Sequence, residues 1–91
     1  MKIKEGYECR QMGGHSMVVK QKQGEERSEI LFALNESGAY LWDGLAKGKN
    51  TEELLDELMV EYEAGPEEKE LIDQDIREFV EQLRMMGALE D

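Results

Sequence analysis

The sequence of 91 residues has few of the features by which many functions are recognised. It contains one cysteine, one proline, one histidine and only 7% aromatic residues. The single cysteine, Cys9, excludes an internal disulfide, and nothing in the sequence requires an oxidising compartment. No apolar run approaches the roughly 20 residues of a membrane span, and the segment Met1–Glu5 lacks the apolar stretch of a signal peptide. We therefore expect a cytoplasmic protein.

Positive charge is also scarce. Eleven Lys and Arg residues stand against 22 Asp and Glu residues, which gives a net charge of −11. All of the excess negative charge lies from residue 35 onward. Such a surface repels phosphate backbones and anionic lipids, so we expect neither nucleic acid nor a membrane as a partner.

The first third of the chain has the patterns of β-strands. Tyr7–Met12 alternates loosely between apolar and polar residues, and the Gly-Gly pair that follows is typical of a hairpin turn. Ser16–Lys20 contains two adjacent valines and predicts the second strand. The polar segment Gln21–Glu29 is expected to be a loop, and the apolar run Ile30–Leu34 predicts a third strand. The short connections favour an antiparallel meander whose first and third strands are open edges.

The rest of the chain predicts three helices, each with an apolar stripe at helical spacing. Capping and breaking residues delimit them: Asn35–Ser37 and Gly48 for the first, Thr51 as the N-cap of the second, and Pro66 and Gly87 for the last. After the last helix, Ala88 and Leu89 are expected to return to the core. The fold class is therefore α+β, in one domain over residues 1–91, with strands at about residues 7–34 and helices at about residues 36–86.

Residues for catalysis or metal binding are almost absent. His15 has no Cys or His at the spacing of a metal site, and beside the Gly-Gly pair it is best explained as a turn residue. Cys9 has no base near it in sequence and is expected to behave as a small apolar residue in a strand. The glycines form no phosphate-binding pattern. We expect no enzyme activity, no metal and no cofactor.

One margin of the last helix stands out. On a helical wheel the apolar stripe is centred on Ile72, Ile76, Phe79 and Leu83. Val80 lies at its edge, beside Arg77 and Arg84. An apolar stripe edged by two arginines fits one wall of a binding groove. The alternative is that each arginine pairs with an acidic residue of the same helix, namely Asp73, Glu78 or Glu81. Met85 lies off the stripe and is expected to be exposed.

Several segments resemble the PqqD family, which is named after pyrroloquinoline-quinone biosynthesis protein D and includes recognition domains for ribosomally made peptides. The resemblance is carried by Leu34-Asn35-Glu36-Ser37-Gly38-Ala39-Tyr40-Leu41-Trp42, by Gly48-Lys49-Asn50-Thr51-Glu52-Glu53-Leu54, and by Asp75, Phe79-Val80, Leu83 and Gly87-Ala88-Leu89. The opening hairpin, Arg10 to Val19, is similar as well, so the likeness spans about residues 7 to 89. Trp42 is typical of the broad PqqD-like group rather than of the quinone proteins themselves.

The resemblance implies a winged-helix-like domain and a non-catalytic peptide chaperone. Such a protein binds the leader segment of a precursor peptide as an added strand and presents it to a modifying enzyme, often a radical S-adenosylmethionine enzyme. The positions that fit are the open edge of the third strand and one margin of the last helix: Glu29, Ile30, Leu31, Phe32, Ala33, Ile76, Arg77, Val80, Leu83 and Arg84. We expect the two arginines to hold an acidic residue of the leader.

Two other functions remain open at this point. A winged-helix fold can bind DNA, but a DNA-binding protein needs a basic recognition surface, and the helical part of this chain is strongly acidic. A regulatory or scaffolding protein that binds a protein partner without any leader peptide is the stronger alternative.

Overall fold

The computed structural model describes residues 1–21, Gly24 and residues 28–90. In chain order the elements are β1 (Lys2–Ile3), β2 (Tyr7–Met12), β3 (His15–Gln21), β4 (Ser28–Leu34), α1 (Glu36–Ala46), α2 (Thr51–Glu61), a short 3-10 turn (Pro66–Glu68), α3 (Lys69–Met85) and β5 (Leu89–Glu90). An α+β fold with a three-stranded antiparallel sheet followed by three helices is therefore confirmed. No helix in this part of the chain combines the length and the apolar composition that a membrane span requires.

The sheet has the order β2-β3-β4, with both neighbouring pairs antiparallel. The turn between β2 and β3 is formed by Gly13 and Gly14, whose φ angles are +59° and +83°. A two-residue hairpin turn of this kind needs positive φ at both positions, which glycine adopts without a steric penalty. The segment expected to be a loop begins and ends in strand, because β3 extends to Gln21 and β4 starts at Ser28. Most of the remaining residues of that segment lie outside the described ranges.

Two very short strands, β1 and β5, pair with each other near the two ends of the described chain. Lys2 is opposite Glu90 and Ile3 is opposite Leu89, and the Lys4 amide donates to the Ala88 carbonyl at 2.8 Å. Ala88 and Leu89 are buried, so the predicted return of this segment to the core is confirmed. The pairing of β1 with β5 was not predicted from the sequence, because a segment of two residues is too short to show periodicity.

Helix α2 begins one residue earlier than a Thr51 cap would give. Its N-cap is Asn50, whose side chain accepts a hydrogen bond from the Glu53 amide at 2.9 Å, while the Glu53 carboxylate accepts from the Asn50 amide at 3.2 Å. This reciprocal arrangement is a capping box, and it satisfies two backbone donors that would otherwise lack partners. Thr51 is instead the first residue of the helix.

The core lies where the three helices meet one face of the sheet. It consists of Val18 from β3, Leu41, Trp42 and Leu45 from α1, Leu54, Leu55 and Leu58 from α2, Ile76, Val80 and Leu83 from α3, and Ala88 and Leu89. No charged or polar residue among those described is buried. Because the core draws on every α-helix and on the sheet, it fixes the position of α3 relative to β4, and that relationship shapes the candidate site.

Candidate functional site

Strand β4 is one edge of the three-stranded sheet. It pairs with β3 on one side, and on its other side no strand pairs with it in the described part of the chain. An edge strand presents a row of backbone N–H and C=O groups that an extended peptide can pair with. The predicted residues Glu29 to Ala33 all belong to this strand, so the open edge expected from the sequence is present.

A β-bulge alters the order of side chains along β4. Val18 is opposite Phe32 and Val19 is opposite Ile30, so Leu31 is an extra residue without a partner of its own. Strict alternation would place Ile30, Phe32 and Leu34 on one face. Instead Leu31, Phe32 and Leu34 pack against the core, while Ile30 is 51% exposed. The bulge thus brings two adjacent apolar side chains, Leu31 and Phe32, towards the helices.

An apolar concavity lies between β4 and the end of α3. It has a volume of about 360 Å³ and is lined by Phe32, Gln82, Met85 and Met86. Met85 is 81% exposed, as its position off the apolar stripe predicts. Methionine side chains are flexible and polarisable, so they adapt to apolar groups of different shapes. This concavity suits an apolar side chain of a peptide paired with β4.

A second, more polar concavity adjoins the first. Its lining residues are Asn35, Ser37, Gly38, Leu41, Asp75, Glu78, Phe79 and Gln82. Gln82 belongs to both linings, so the two concavities are neighbours along α3. We refer to the combined surface, bounded by Phe32 to Asn35 on one side and by Asp75 to Met86 on the other, as the strand–helix groove. The side chain of Asn35 is already engaged, because it caps α1 by accepting from the Gly38 amide at 2.7 Å.

The arginines Arg77 and Arg84 lie away from this groove. They line a different concavity, together with Met1, Asn50, Thr51, Val80 and Glu81. At roughly 100° per residue, the groove residues and the two arginines flank the buried stripe of α3 on opposite sides. The structure therefore brings Arg77 and Arg84 together with each other and with the start of α2, and not with β4.

Each arginine also has an acidic partner on its own helix, as the alternative interpretation predicts. Arg77 donates to Asp73 at 2.8 Å, and Arg84 lies 3.8 Å from the carboxylate of Glu81. The hydrogen bond to Asp73 raises the pKa of the Arg77 guanidinium above its ordinary value, with the Asp73 charge acting in the same direction. Exposed ion pairs such as these contribute little to stability.

The remaining predicted residues of α3 are parts of the core. Ile76 and Leu83 have no exposed surface, and Val80 is 3% exposed. These three side chains pack in the core and hold α3 in place. Contact with a peptide is therefore left to the exposed residues beside them. The groove residues Gln82, Met85 and Met86 were missing from the sequence prediction. The off-stripe position of Met85 was the one available signal for them.

A further concavity of about 620 Å³ lies between β2, the other edge of the sheet, and α1. Its lining includes Cys9, which is half-buried, together with Tyr7, Trp42 and Asp43. His15 is exposed at the start of β3, next to the Gly-Gly turn and outside this lining. No group of three or more His, Cys, Asp and Glu residues in the described ranges is arranged to hold a metal ion. Among the residues whose positions are described, no side-chain hydrogen bond or ion pair involves Cys9 or His15.

Comparison with known proteins gives two matches. The model of the family described as "Coenzyme PQQ synthesis protein D (PqqD)" matches residues 25–89. The fold is similar to a solved structure described as "TbiB1 in Complex with the TbiA(beta) Leader Peptide", with a TM-score of 0.75 and 24% sequence identity over 99% of this chain and 95% of that chain. No curated protein matches the sequence. Because the family model covers well over half of the sequence, including β4 and all three helices, this chain belongs to the PqqD family.

Proposed function

We propose that this protein is a non-catalytic peptide chaperone that binds the leader segment of a ribosomally made precursor peptide by strand addition along β4. The observation that carries the proposal is the unpaired edge of β4 beside the strand–helix groove. Membership of the PqqD family supports it, and so does the similarity of the fold to TbiB1, whose structure contains a leader peptide.

The two parts of the site have different tasks. Backbone groups of Glu29–Ala33 pair with the peptide backbone, which gives affinity with little demand on sequence. Alternate side chains of the peptide point towards α3, and one of them enters the apolar concavity lined by Phe32, Met85 and Met86. That side chain, which we call the apolar anchor, gives specificity because burying it removes apolar surface from water.

The sequence-based assignment of Ile76, Arg77, Val80, Leu83 and Arg84 as peptide-binding residues remains a prediction. The buried members act through the shape of α3. A contact with Arg77 or Arg84 would require the peptide to cross the helix to its other margin, since these residues line the concavity beside Asn50 and Thr51.

The bound leader would then be presented to a modifying enzyme, which we propose to be a radical S-adenosylmethionine enzyme of quinone biosynthesis or of a related peptide pathway. We propose that residues 1–91 act as one cytoplasmic recognition domain, without catalytic activity of its own.

Titration of the ¹⁵N-labelled protein with a leader peptide encoded beside the gene tests the proposal. Amides of Glu29–Ala33 should shift and become protected from hydrogen exchange, together with residues of α3, while α2 stays unchanged. A matched pair of peptides sharpens the test. Methylating the alternate backbone nitrogens on one edge of the peptide should abolish binding, whereas methylating those on the other edge should not, because strand addition uses only one edge. Perturbation confined to α2, or to β2 at the other edge of the sheet, would contradict the proposal.

A further inference from the structure

The strand–helix groove changes character along its length. At one end it is lined by Phe32, Met85 and Met86, and at the other by Asp75 and Glu78, with Gln82 between them. At about 100° per residue, Asp75, Glu78, Gln82 and Met85 fall within about 80° of one another around α3, so they form one row. The groove therefore has an apolar end and an acidic end.

The carboxylates at the acidic end have no basic partner in the described part of the chain. Glu78 accepts a hydrogen bond from the side-chain amide of Gln74 at 3.2 Å, and no ion pair between described residues involves Asp75 or Glu78. The nearest arginine in sequence, Arg77, is paired with Asp73 on the other margin of the helix. Within residues 1–21 and 28–90, no Lys or Arg lines either concavity of the groove.

The orientation of the elements fixes which part of a peptide meets the acidic end. Strand β4 runs from Phe32 at the apolar end towards Asn35 at the acidic end. Because both pairs of strands in the sheet are antiparallel, we take the leader to add antiparallel to β4 as well, so that its N-terminal part lies beside Asp75 and Glu78. From Asp75 to Met86, α3 rises by roughly 16 Å, which is the length of about five residues in a strand.

We propose that the leader recognised by this protein carries a lysine or arginine two or four residues before its apolar anchor. This inference rests on the proposed function. In a strand, residues two and four positions apart point to the same face, so the basic and apolar side chains both face α3. The charge follows from complementarity: a basic residue meets the Asp75 and Glu78 carboxylates, while an acidic residue at that point is repelled.

The inference reverses the charge that the sequence alone predicts. There, an acidic leader residue was expected, because Arg77 and Arg84 were placed beside the third strand. The structure puts the carboxylates of Asp75 and Glu78 in the strand–helix groove, beside Asn35 and Ser37, and the arginines on the opposite margin of α3. A basic residue is therefore expected in the leader, because the groove lies on the side of α3 that carries the carboxylates.

Selection from a display library of random twelve-residue peptides tests the inference and requires no leader of known sequence. Three proteins serve as targets: the wild type, the double variant Asp75→Asn/Glu78→Gln, and the control Glu61→Gln/Glu68→Gln, whose exposed carboxylates lie outside the groove linings. Both double variants change the net charge by the same amount. Wild type and control should enrich Lys or Arg two or four residues before an apolar residue, and the groove variant should lose this positional preference.

Affinity measurements on one selected peptide complete the test. Exchanging its basic residue for Glu should weaken binding to the wild type by about tenfold or more in low salt, and much less in 0.5 M salt, because exposed charges are screened. The groove variant should bind both peptides within about threefold of each other. Peptides that bind along β4 without any preferred charge would overturn the inference and leave the proposed function standing. If no peptide is enriched on β4, the proposed function itself fails.

Discussion

Phe32 on β4 and Met85 on α3 line the same apolar concavity, although they lie far apart in the sequence. Phe32 is partly buried and packs against the core. Met85 is 81% exposed and is not part of the core. One wall of the concavity is thus part of the folded core, and the other is an apolar side chain left in solvent. Met85 is therefore the residue at which binding can be altered without altering the fold.

We expect Met85→Glu to weaken binding of a β4-bound peptide by more than tenfold, which corresponds to about 1.4 kcal/mol. A carboxylate in the concavity has to lose water when an apolar side chain enters, and it gains no partner in return. Isothermal titration with a selected or encoded peptide measures the loss, and thermal unfolding checks that stability is unchanged. Val60→Glu on α2 is the matched control, because Val60 is 78% exposed and the charge change is the same. Equal affinities of the two variants would contradict the assignment of this concavity.

The double variant Arg77→Glu/Arg84→Glu separates the two margins of α3. Because these arginines line the concavity beside Asn50 and Thr51, we expect peptide affinity to change by less than about threefold at physiological salt, where distant exposed charges are screened. Fluorescence anisotropy with a labelled peptide is sufficient to measure this. A loss of more than tenfold, with folding preserved, would instead restore the sequence-based assignment of both arginines to the binding site.

The buried stripe of α3 was predictable from the sequence, but the neighbours on each side of it were not. Periodicity identifies Ile76 and Leu83 as core residues, and both are fully buried. It does not say which margin of the stripe faces β4, because that depends on how α1 and α2 pack. The sequence therefore indicated Arg77 and Arg84, whereas the exposed residues beside β4 are Gln82 and Met85.

Local signals explain the accuracy of the strand prediction and also its gaps. The Gly-Gly turn and the apolar run from Ile30 placed β2, β3 and β4 correctly to within two residues. The bulge at Leu31 was not predicted. A bulge is defined by how two strands pair, so the apolar pattern of a single strand does not reveal it. The same holds for β1 and β5, whose pairing joins segments at opposite ends of the described chain.

The ion pair between Lys49 and Glu57 joins the segment before α2 to the helix itself. The hydrogen bond that Lys49 donates to Glu57 raises the pKa of the lysine above 10.5, with the Glu57 charge acting in the same direction. A pKa that is higher in the folded state means that the charged lysine stabilises the fold at any pH below 10.5, and that this contribution is lost as the pH rises through the folded value.

We therefore expect Lys49→Met to lower the midpoint of thermal unfolding at pH 7, and we expect its difference from the wild type to shrink as the pH rises above 10.5 and through the folded pKa of Lys49. The second carboxylate oxygen of Glu57 is buried without a hydrogen-bond partner among the described residues, so removal of the lysine leaves a partly buried carboxylate uncompensated. Lys47→Met is the control, because its ion pair with Asp43 is more exposed and should contribute less. A difference between Lys49→Met and wild type that does not shrink with rising pH would argue against this pair.

Gly44 in α1 and Leu54 in α2 are in such close contact that a side chain at position 44 has no space. A Cβ atom on Gly44 would lie 2.3 Å from Cδ2 of Leu54, which is itself fully buried. Gly44→Ala should gain up to about 1 kcal/mol of helix propensity and lose about 1–3 kcal/mol through overpacking, so we expect net destabilisation of about 1 kcal/mol. Chemical denaturation measures this difference directly. In a Leu54→Val background the same change should be less costly, because the shorter side chain withdraws from the contact. If Gly44→Ala is equally costly in both backgrounds, the contact with Leu54 is not its cause.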